Sequence, residues 1–182
     1  MKRKINIREL IYISVCTALM AVCSWISIPM TVPFTLQTFA VTCILGIIGG
    51  KDGTLAILLY ILLGAVGIPV FSGFTGGIGI LFGSTGGYIL GFIFMGIIYW
   101  IIEELAGESL YTQAVAAAFG LLSCYLFGTA WFVLGYSMEN GAIGIGTALS
   151  WCVLPFVIPD IVKSVLAVLI SERLRRIIRK NR

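Results

Sequence analysis

The stretch Leu154-Pro-Phe-Val-Ile-Pro-Asp-Ile-Val-Lys163 decides the fold, because it places two charged side chains inside an apolar segment. Every other charge lies at the end of such a segment, in a tail or in a loop. A charge within a membrane span costs at least a few kcal/mol, so it needs a partner or a function. Asp160 and Lys163 are three positions apart, so on a helix they share one face and partly neutralise each other. We call them the ionic pair and favour a polar ligand site; a pair that only holds helices together is the alternative.

The composition of the whole chain is that of an integral membrane protein. The 182 residues are 59% hydrophobic and 11% charged, with a mean hydropathy of +1.07. Soluble domains are about 25% charged, so a soluble globular protein is excluded. An apolar helix needs ~20 residues to cross a bilayer, and the chain accommodates about six. We therefore predict an all-α integral membrane protein, one domain over residues 1–182, with spans at roughly 11–28, 34–49, 55–70, 84–102, 114–136 and 151–172.

The basic residues predict the orientation. Six follow the last span and four precede the first: Arg173, Arg175, Arg176, Arg179, Lys180 and Arg182, and Lys2, Arg3, Lys4 and Arg8. With about six spans both tails lie on the side of Lys51, which puts 11 of the 12 Lys and Arg residues there. Cytoplasmic loops are enriched in Lys and Arg, so we expect a multi-pass cell-membrane protein with both termini cytoplasmic. Nucleic-acid binding by the tails is less favoured, because nothing folded accompanies them.

Several kinds of chemistry are excluded by composition. The chain has no histidine, so His-based metal sites and Ser-His-Asp triads are absent. Its five cysteines are scattered in apolar segments without a CxxC pair, as expected of small packing residues. We predict no metal, no cofactor and no catalytic residue.

Residues 71–88, the glycine-rich segment, combine glycines, hydroxyls and aromatics without any charge. Glycine permits turns and lets the backbone approach a ligand closely. The segment lacks the spacing of a dinucleotide fingerprint and the Lys of a Walker A loop. We expect it to fold over the bundle; a loop that only packs at the membrane interface is the alternative. Its candidate hydrogen-bonding residues are Thr75, Thr85 and Tyr88, and its candidate apolar cover is Phe71, Phe74 and Phe82.

These features converge on one end of the bundle. A helix rises roughly 20 Å from Asp160 to Arg173, which places Asp160 in the outer third of a ~30 Å core. Pro159 suits the first position of a helix, so we expect Asp160 in the first turn, where the dipole favours an anion. Gln37, about one turn inside span two, faces the same end. We predict one outward-facing pocket built from the ionic pair, Gln37 and the glycine-rich segment.

Several short motifs occur together in this chain: Pro33 with Leu36-Gln37, Gly67-Ile-Pro-Val70, Gly76-Gly77, Gly83-Ser-Thr-Gly-Gly-Tyr-Ile-Leu-Gly-Phe92, Pro155-Phe156, Asp160 and Lys163. In these residues the chain resembles BioY, the biotin-binding S component of energy-coupling factor (ECF) transporters, over nearly its whole length. Ile158-Pro159 stands where the family tends to have Pro-Gly, and some members have Asn at Thr75 and Arg at Ile89. The group that binds a ligand carboxylate therefore stays open.

The resemblance implies an S component that captures biotin from outside. It would deliver the vitamin after joining a membrane-embedded coupling (T) subunit and two cytoplasmic ATPases. The implied ligand contacts are Asp160, Lys163, Thr75, Gly76, Tyr88, Gln37, Thr85 and Phe74. The small residues Ser14 and Ala18 match the docking strip for the T subunit, and packing inside the bundle is the alternative for such strips.

The ligand chemistry suits these residues. Asp160 can accept hydrogen bonds from the two ureido N–H groups of biotin, and Lys163 can donate to the ureido oxygen or the carboxylate. The alternatives are an S component for another vitamin, such as thiamin or riboflavin, and a stand-alone small-solute carrier. A small intramembrane enzyme is least favoured, since the chain offers no nucleophile–base pair and no cluster of metal ligands.

Overall fold

The computed structural model describes residues 6–180, except for the side chains at positions 139 and 178–180. The predicted basic residues Lys2, Arg3, Lys4 and Arg182, and the side chains of Arg179 and Lys180, lie outside this part. The described chain is mainly helical, with one short two-stranded hairpin. Its elements are α1 (Ile7–Trp25), β1 (Ser27–Ile28), β2 (Phe34–Thr35), α2 (Gln37–Ile48), α3 (Gly50–Ala65), a 3-10 turn (Ser72–Phe74), α4 (Ile78–Phe82), α5 (Gly86–Ala106), α6 (Leu110–Asn140), α7 (Ile145–Cys152) and α8 (Leu154–Lys180).

Local sequence sets several helix boundaries. Asn6 and Glu9 form a capping box at the start of α1, and the Ser109 hydroxyl caps α6. These side chains satisfy backbone N–H groups that have no partner within the helix. Gly49 (φ 92°) and Gly107 (φ 78°) follow α2 and α5. Glycine adopts a positive φ at little cost. At Gly49 this conformation reverses the direction of the chain between α2 and α3 within one residue.

The longer helices alternate in direction. Helices α1 and α3 are parallel, as are α2 and α8, whereas α2 with α3, α3 with α5, and α6 with α8 are antiparallel. The contacts that fix these directions are Thr17 with Ala56, Ser24 with Val70, Thr38 with Asp160, Cys43 with Ala167, Gln37 with Tyr60, Gly53 with Leu45, Gly50 with Trp100, Gly96 with Thr54, Tyr125 with Asp160, and Gln113 with Ser171. The bundle therefore has an upper end, which carries Asp160, and a lower end, which carries Gly50.

Helices α5 and α6 pack closely through glycine. A Cβ added to Gly87 would collide with Trp131, and one added to Gly91 would lie 2.9 Å from the Cys124 sulfur. Small residues spaced by four let two membrane helices approach closely. In the sequence, Gly83, Gly87 and Gly91 are spaced by four residues, which predicts one smooth helix face. The structure confirms this face for Gly87 and Gly91, while Gly83 precedes the helix.

A group of ion pairs joins the helices at the lower end. The Arg175 guanidinium lies 2.7 Å from a Glu103 carboxylate oxygen and 3.2 Å from Glu108. Glu103 also accepts the backbone N–H of Gly50. The Glu103 carboxylate thus connects the start of α3, the end of α5 and the lower part of α8. This cluster lies at the opposite end of the bundle from the ionic pair.

The start of α8 corrects one prediction. Helix α8 begins at Leu154, so Pro155 lies in its first turn and Pro159 inside it. Pro155 is tolerated there because a first-turn residue needs no N–H. The expectation that Pro159 begins the helix and that Asp160 lies in its first turn is therefore wrong. The Asp160 carboxylate depends on side-chain donors rather than on the helix end.

Four helices in the described part are long and apolar enough to cross a membrane: Ile7–Trp25, Gly86–Ala106, and the windows Leu110–Met138 and Leu154–Ile177 of α6 and α8. Helices α2 and α3 are shorter, with 12 and 16 residues. Apolar side chains such as Leu62, Leu126 and Val165 are exposed on the outside of the bundle. Such a surface is unfavourable in water and suits lipid.

Replacing Gly50 by Ala is expected to destabilise the bundle, because the new methyl would collide with the Trp100 Cα. Overpacking of this kind costs about 1–3 kcal/mol. Gly146→Ala is the matched control, since a Cβ there meets nothing within 4 Å. The midpoint of thermal unfolding in detergent checks this. Equal midpoints for the two variants would contradict the close contact between α3 and α5.

Candidate functional site

A cavity of about 140 Å³ lies at the upper end. It is enclosed by the β1–β2 hairpin, part of the glycine-rich segment and residues from α2 and α5 to α8. Most of its lining is apolar or carries a hydroxyl or thiol. The lining residues are Val32, Pro33, Thr35, Gln37, Thr38, Phe71, Ser72, Ile80, Thr85, Tyr88, Ile89, Phe92, Cys124, Tyr125, Cys152, Phe156, Asp160 and Lys163.

The ionic pair lies on the wall of this cavity. The Lys163 ammonium is 2.8 Å from the Asp160 carboxylate. The two residues are only 8% and 2% exposed. Burial of a charge is costly unless the charge is paired and hydrogen-bonded, and each member meets both conditions. The helical spacing of three residues within α8 makes the contact possible.

Two hydroxyls from other helices hold the Asp160 carboxylate. The Thr38 hydroxyl, at the start of α2, donates to Oδ1 over 2.8 Å. The Tyr125 hydroxyl, halfway along α6, donates to Oδ2 over 2.6 Å. Hydrogen bonds to an ionised acceptor are short and comparatively strong. The Asp160 carboxylate is thereby held by donors on α2 and α6, in addition to Lys163 on its own helix. Both of its oxygens accept hydrogen bonds.

The Lys163 ammonium is held by the hairpin. It donates to the Thr35 carbonyl over 2.7 Å and lies 3.9 Å from the centre of the Phe34 ring. A cation over an aromatic face is attracted by the ring quadrupole. Because Phe34 and Thr35 form β2, the hairpin packs directly on the charge in α8.

The hydrogen-bonding capacity of the pair is not exhausted. An ionised carboxylate has about four acceptor positions, and an ammonium has three donors. Asp160 accepts from Thr38, Tyr125 and Lys163. Lys163 donates to Asp160 and Thr35, with Thr38 at a long 3.5 Å. The pair can therefore bind a neutral ligand that offers an N–H donor beside a carbonyl acceptor.

Gln37 lines the cavity and connects it with the chain before the glycine-rich segment. Its amide donates to the Tyr60 hydroxyl over 2.6 Å. Tyr60 in turn donates to the Val70 carbonyl over 3.0 Å. The Gln37 carbonyl accepts from the Thr35 hydroxyl over 3.3 Å. These contacts tie the hairpin, α2, α3 and the segment that follows Val70 into one unit.

The glycine-rich segment contributes only some of the predicted residues to the cavity. Phe71, Thr85 and Tyr88 line it, as do Ser72 and Ile80. The Tyr88 hydroxyl lies 2.9 Å from that of Thr129 on α6.

Thr75, Gly76 and Phe74 point elsewhere. The Thr75 hydroxyl donates to the Ser72 carbonyl, and Gly76 packs against the Ile68 backbone. Phe74 is 65% exposed and stacks on Trp25 at 4.9 Å between ring centres. The cause is local, because Phe74 itself has φ 57° within a tight turn. Ligand contact by these three residues stays a prediction.

The two small-residue strips of α1 face different surroundings. Thr17 and Ala21 are buried, and the Thr17 hydroxyl donates to the Ala56 carbonyl on α3 over 3.2 Å. Ser14 and Ala18 are exposed on the outside of the bundle. This second strip therefore faces the outside of the bundle, and its exposure shows that close packing inside the bundle does not require its small side chains.

Sequence reasoning did not single out Thr38, Tyr125, Phe34 or Phe156 as site residues. Thr38 follows Gln37 directly, and Phe156 lies one turn before Asp160 on α8. Tyr125 is a phenol in the middle of an apolar span, and a buried Tyr hydroxyl usually finds a partner. The position of Tyr125 within an apolar span was therefore the signal that could have identified it, because the Asp160 carboxylate is an acceptor within an apolar segment.

No group of three or more His, Cys, Asp or Glu side chains within residues 6–180 is arranged to hold a metal ion. The cavity cysteines, Cys124 and Cys152, are free and buried. They contribute small apolar surface beside Tyr88, as the sequence led us to expect of cysteines in this chain.

Comparison with known proteins covers almost the whole chain. Residues 1–180 match the model of the BioY family. A biotin transporter BioY of Thermotoga maritima is 42% identical over 171 residues, which is 93% of this chain and 97% of that protein. A probable biotin transporter BioY of Pyrococcus horikoshii is 40% identical over 169 residues, covering 92% and 96%. The crystal structure of the S-component for biotin from an ECF-type ABC transporter superposes with a TM-score of 0.83 at 25% identity, covering 97% of this chain and 95% of that one.

A mutant cycle on the ionic pair tests how strongly the two charges depend on each other. Asp160→Leu leaves the Lys163 ammonium buried without its anion, and such a change costs about 3–5 kcal/mol. Adding Lys163→Leu removes the unpaired charge and should restore most of that loss. Thermal unfolding of the two variants in detergent, without ligand, gives the comparison. A double variant no more stable than Asp160→Leu would contradict the dependence.

Proposed function

This chain belongs to the BioY family, and we propose that it binds biotin from outside the cell and mediates its uptake as the S component of an ECF-type importer. It is a multi-pass membrane transport protein rather than an enzyme. One observation carries the assignment of the site. The buried ionic pair faces a cavity whose other lining side chains are uncharged.

The ureido ring of biotin fits the remaining capacity of the pair. Its N–H groups are donors for the Asp160 carboxylate, and its polarised carbonyl is an acceptor for Lys163. Because Thr38 and Tyr125 already orient the carboxylate, little side-chain entropy is lost when the ligand binds. The pair thus serves as a preorganised polar end of the pocket.

The apolar part of biotin has a matching surface. Phe71, Phe92 and Phe156 line the cavity together with Ile80 and Ile89. Ligand pockets are mostly apolar with a few well-placed polar groups, and this lining follows that pattern. The cavity, at about 140 Å³, is smaller than the ~300–1,000 Å³ of typical ligand pockets. We infer that the hairpin or the glycine-rich segment moves outward when biotin enters.

Six membrane crossings and cytoplasmic termini belong to the same proposal. The alternating directions of α1, α2, α3, α5, α6 and α8 support six crossings, with α2 and α3 as the shorter ones. The lower end carries Arg8, Lys51 and Arg173. Since Lys and Arg concentrate on the cytoplasmic side, this end faces the cytoplasm and the cavity faces outward.

The partners follow from the role of an S component. Energy for uptake would come from a membrane-embedded T subunit and two cytoplasmic ATPases. The exposed strip of Ser14 and Ala18 is the proposed docking face for the T subunit, because small residues let a partner helix approach closely. The exposure of both residues supports this choice over the buried pair Thr17 and Ala21.

Titration of labelled biotin onto the detergent-purified full chain tests the proposed site. Asp160→Asn should weaken binding at least about 30-fold, since it removes the charge from a buried hydrogen-bonded pair. Asp52→Asn, the same change at the lower end, is the matched control and should bind like the parent. Near-unchanged affinity in Asp160→Asn would refute the assignment of the pair. Absence of binding by the parent would mean that the ligand is another small molecule.

Ala18→Trp tests the docking strip. The bulky ring should leave biotin affinity unchanged and abolish uptake in cells that contain the T subunit and the ATPases, because it blocks close approach to the strip. Ala118→Trp makes the same change at an exposed alanine on α6 and should transport normally. Uptake that survives Ala18→Trp would remove this face of α1 from the docking interface.

A further inference from the structure

Positive charge is scarce at the upper end. Lys163 is the only Lys or Arg between Lys51 and Arg173 in the sequence. Lys51 lies in the first turn of α3 at the lower end, over the Trp100 ring. Among the described residues that line the cavity, Asp160 and Lys163 are the only ones with charged side chains. The site as a whole therefore has no net charge.

The one cation is already engaged. Lys163 lies within 2.8 Å of both the Asp160 carboxylate and the Thr35 carbonyl, and its ammonium packs against Phe34. Only its third donor, at a long 3.5 Å from Thr38, is left, and the proposed contact with the ureido carbonyl takes it, so a ligand carboxylate would have to compete for that donor. It would also bring a second anion beside Asp160, and like charges at this distance repel in a medium of low dielectric.

The lining of the cavity also offers neutral donors. Ser72, from the 3-10 turn, and Thr85 and Ile89, at the start of α5, line it; we call these three residues the neutral wall. Neither hydroxyl makes a side-chain hydrogen bond to any described residue in this structure. Both are therefore available to a ligand, and a hydroxyl donates equally well to a carboxylate, an amide or an ester oxygen.

We propose that the neutral wall receives the tail of biotin and recognises its end group without a cation. The site then accepts biotin derivatives with an uncharged tail, such as primary amides, about as well as biotin itself. This inference rests on the proposed function, since it takes the ureido ring to occupy the ionic pair. The α5 helix end favours an anion only weakly, by less than about tenfold. A buried contact with a cation would favour the anion by about 30-fold or more.

The test is a parallel titration of biotin and biotinamide onto the detergent-purified full chain. Biotinamide should bind less than tenfold more weakly than biotin. A loss of tenfold or more would overturn the inference and leave the proposed function intact. If neither compound binds, the proposed function fails, and this inference with it.

Two variants locate the tail. Thr85→Ala should weaken biotin and biotinamide by the same factor, because it removes a donor that both use. Ile89→Lys places a cation on the neutral wall and should raise the preference for biotin over biotinamide at least tenfold, whereas Ile89→Met should not. Folding of each variant is checked by its thermal unfolding midpoint. A folded Ile89→Lys with an unchanged preference would overturn the placement of the tail on this wall.

Discussion

The contact between Asp160 and Lys163 constrains the rest of this structure. Two charges in an apolar bundle are tolerated only when they meet each other and when their remaining hydrogen-bonding positions have partners. Supplying those partners requires Thr38 from α2, Tyr125 from α6 and the Thr35 carbonyl from the hairpin. Three elements distant in sequence must therefore arrive at one place on α8. The position of the pair determines where these elements meet at the upper end. The pair also forms the polar end of the proposed binding site.

The two ends of the bundle stabilise their buried charges in different surroundings. At the lower end Arg175 meets Glu103 and Glu108, and the carboxylates and the guanidinium are held where α5 and α8 end. Arg175 is as buried as Lys163, and this cluster joins helices. At the upper end the charges are also almost fully buried, but they border a cavity. The cavity beside the ionic pair distinguishes the proposed site from the structural cluster.

How far the sequence predicts this arrangement depends on how distinctive each residue is. Asp160 and Lys163 were identifiable, because charge within an apolar run is rare and costly. Gly87 and Gly91 were identifiable from their spacing. Thr38 was not, because a membrane helix is apolar on both its lipid-facing and its inward-facing side, so hydropathy does not reveal which residues turn inward. For Tyr125 the sequence showed only that a phenol within an apolar span needs a partner. The predicted start of α8 was wrong because Pro155 and Pro159 both suit the first turn of a helix. In the structure it is Pro155 that lies in the first turn. Phe74 and Thr75 do not line the cavity, because the direction of a side chain in a glycine-rich turn depends on dihedral angles that composition does not encode; their contact with the ligand stays a prediction.

The neutrality of the ionic pair has an electrical consequence. Moving one elementary charge across a membrane potential changes the free energy by about 2.3 kcal/mol per 100 mV. Asp160 and Lys163 sum to zero, so a displacement of this part of the bundle along the membrane normal does almost no electrical work. The voltage dependence that this site contributes to uptake would then report the charge of the cargo rather than that of the ionic pair. An acid and its amide would differ in this respect even if the site held them equally well.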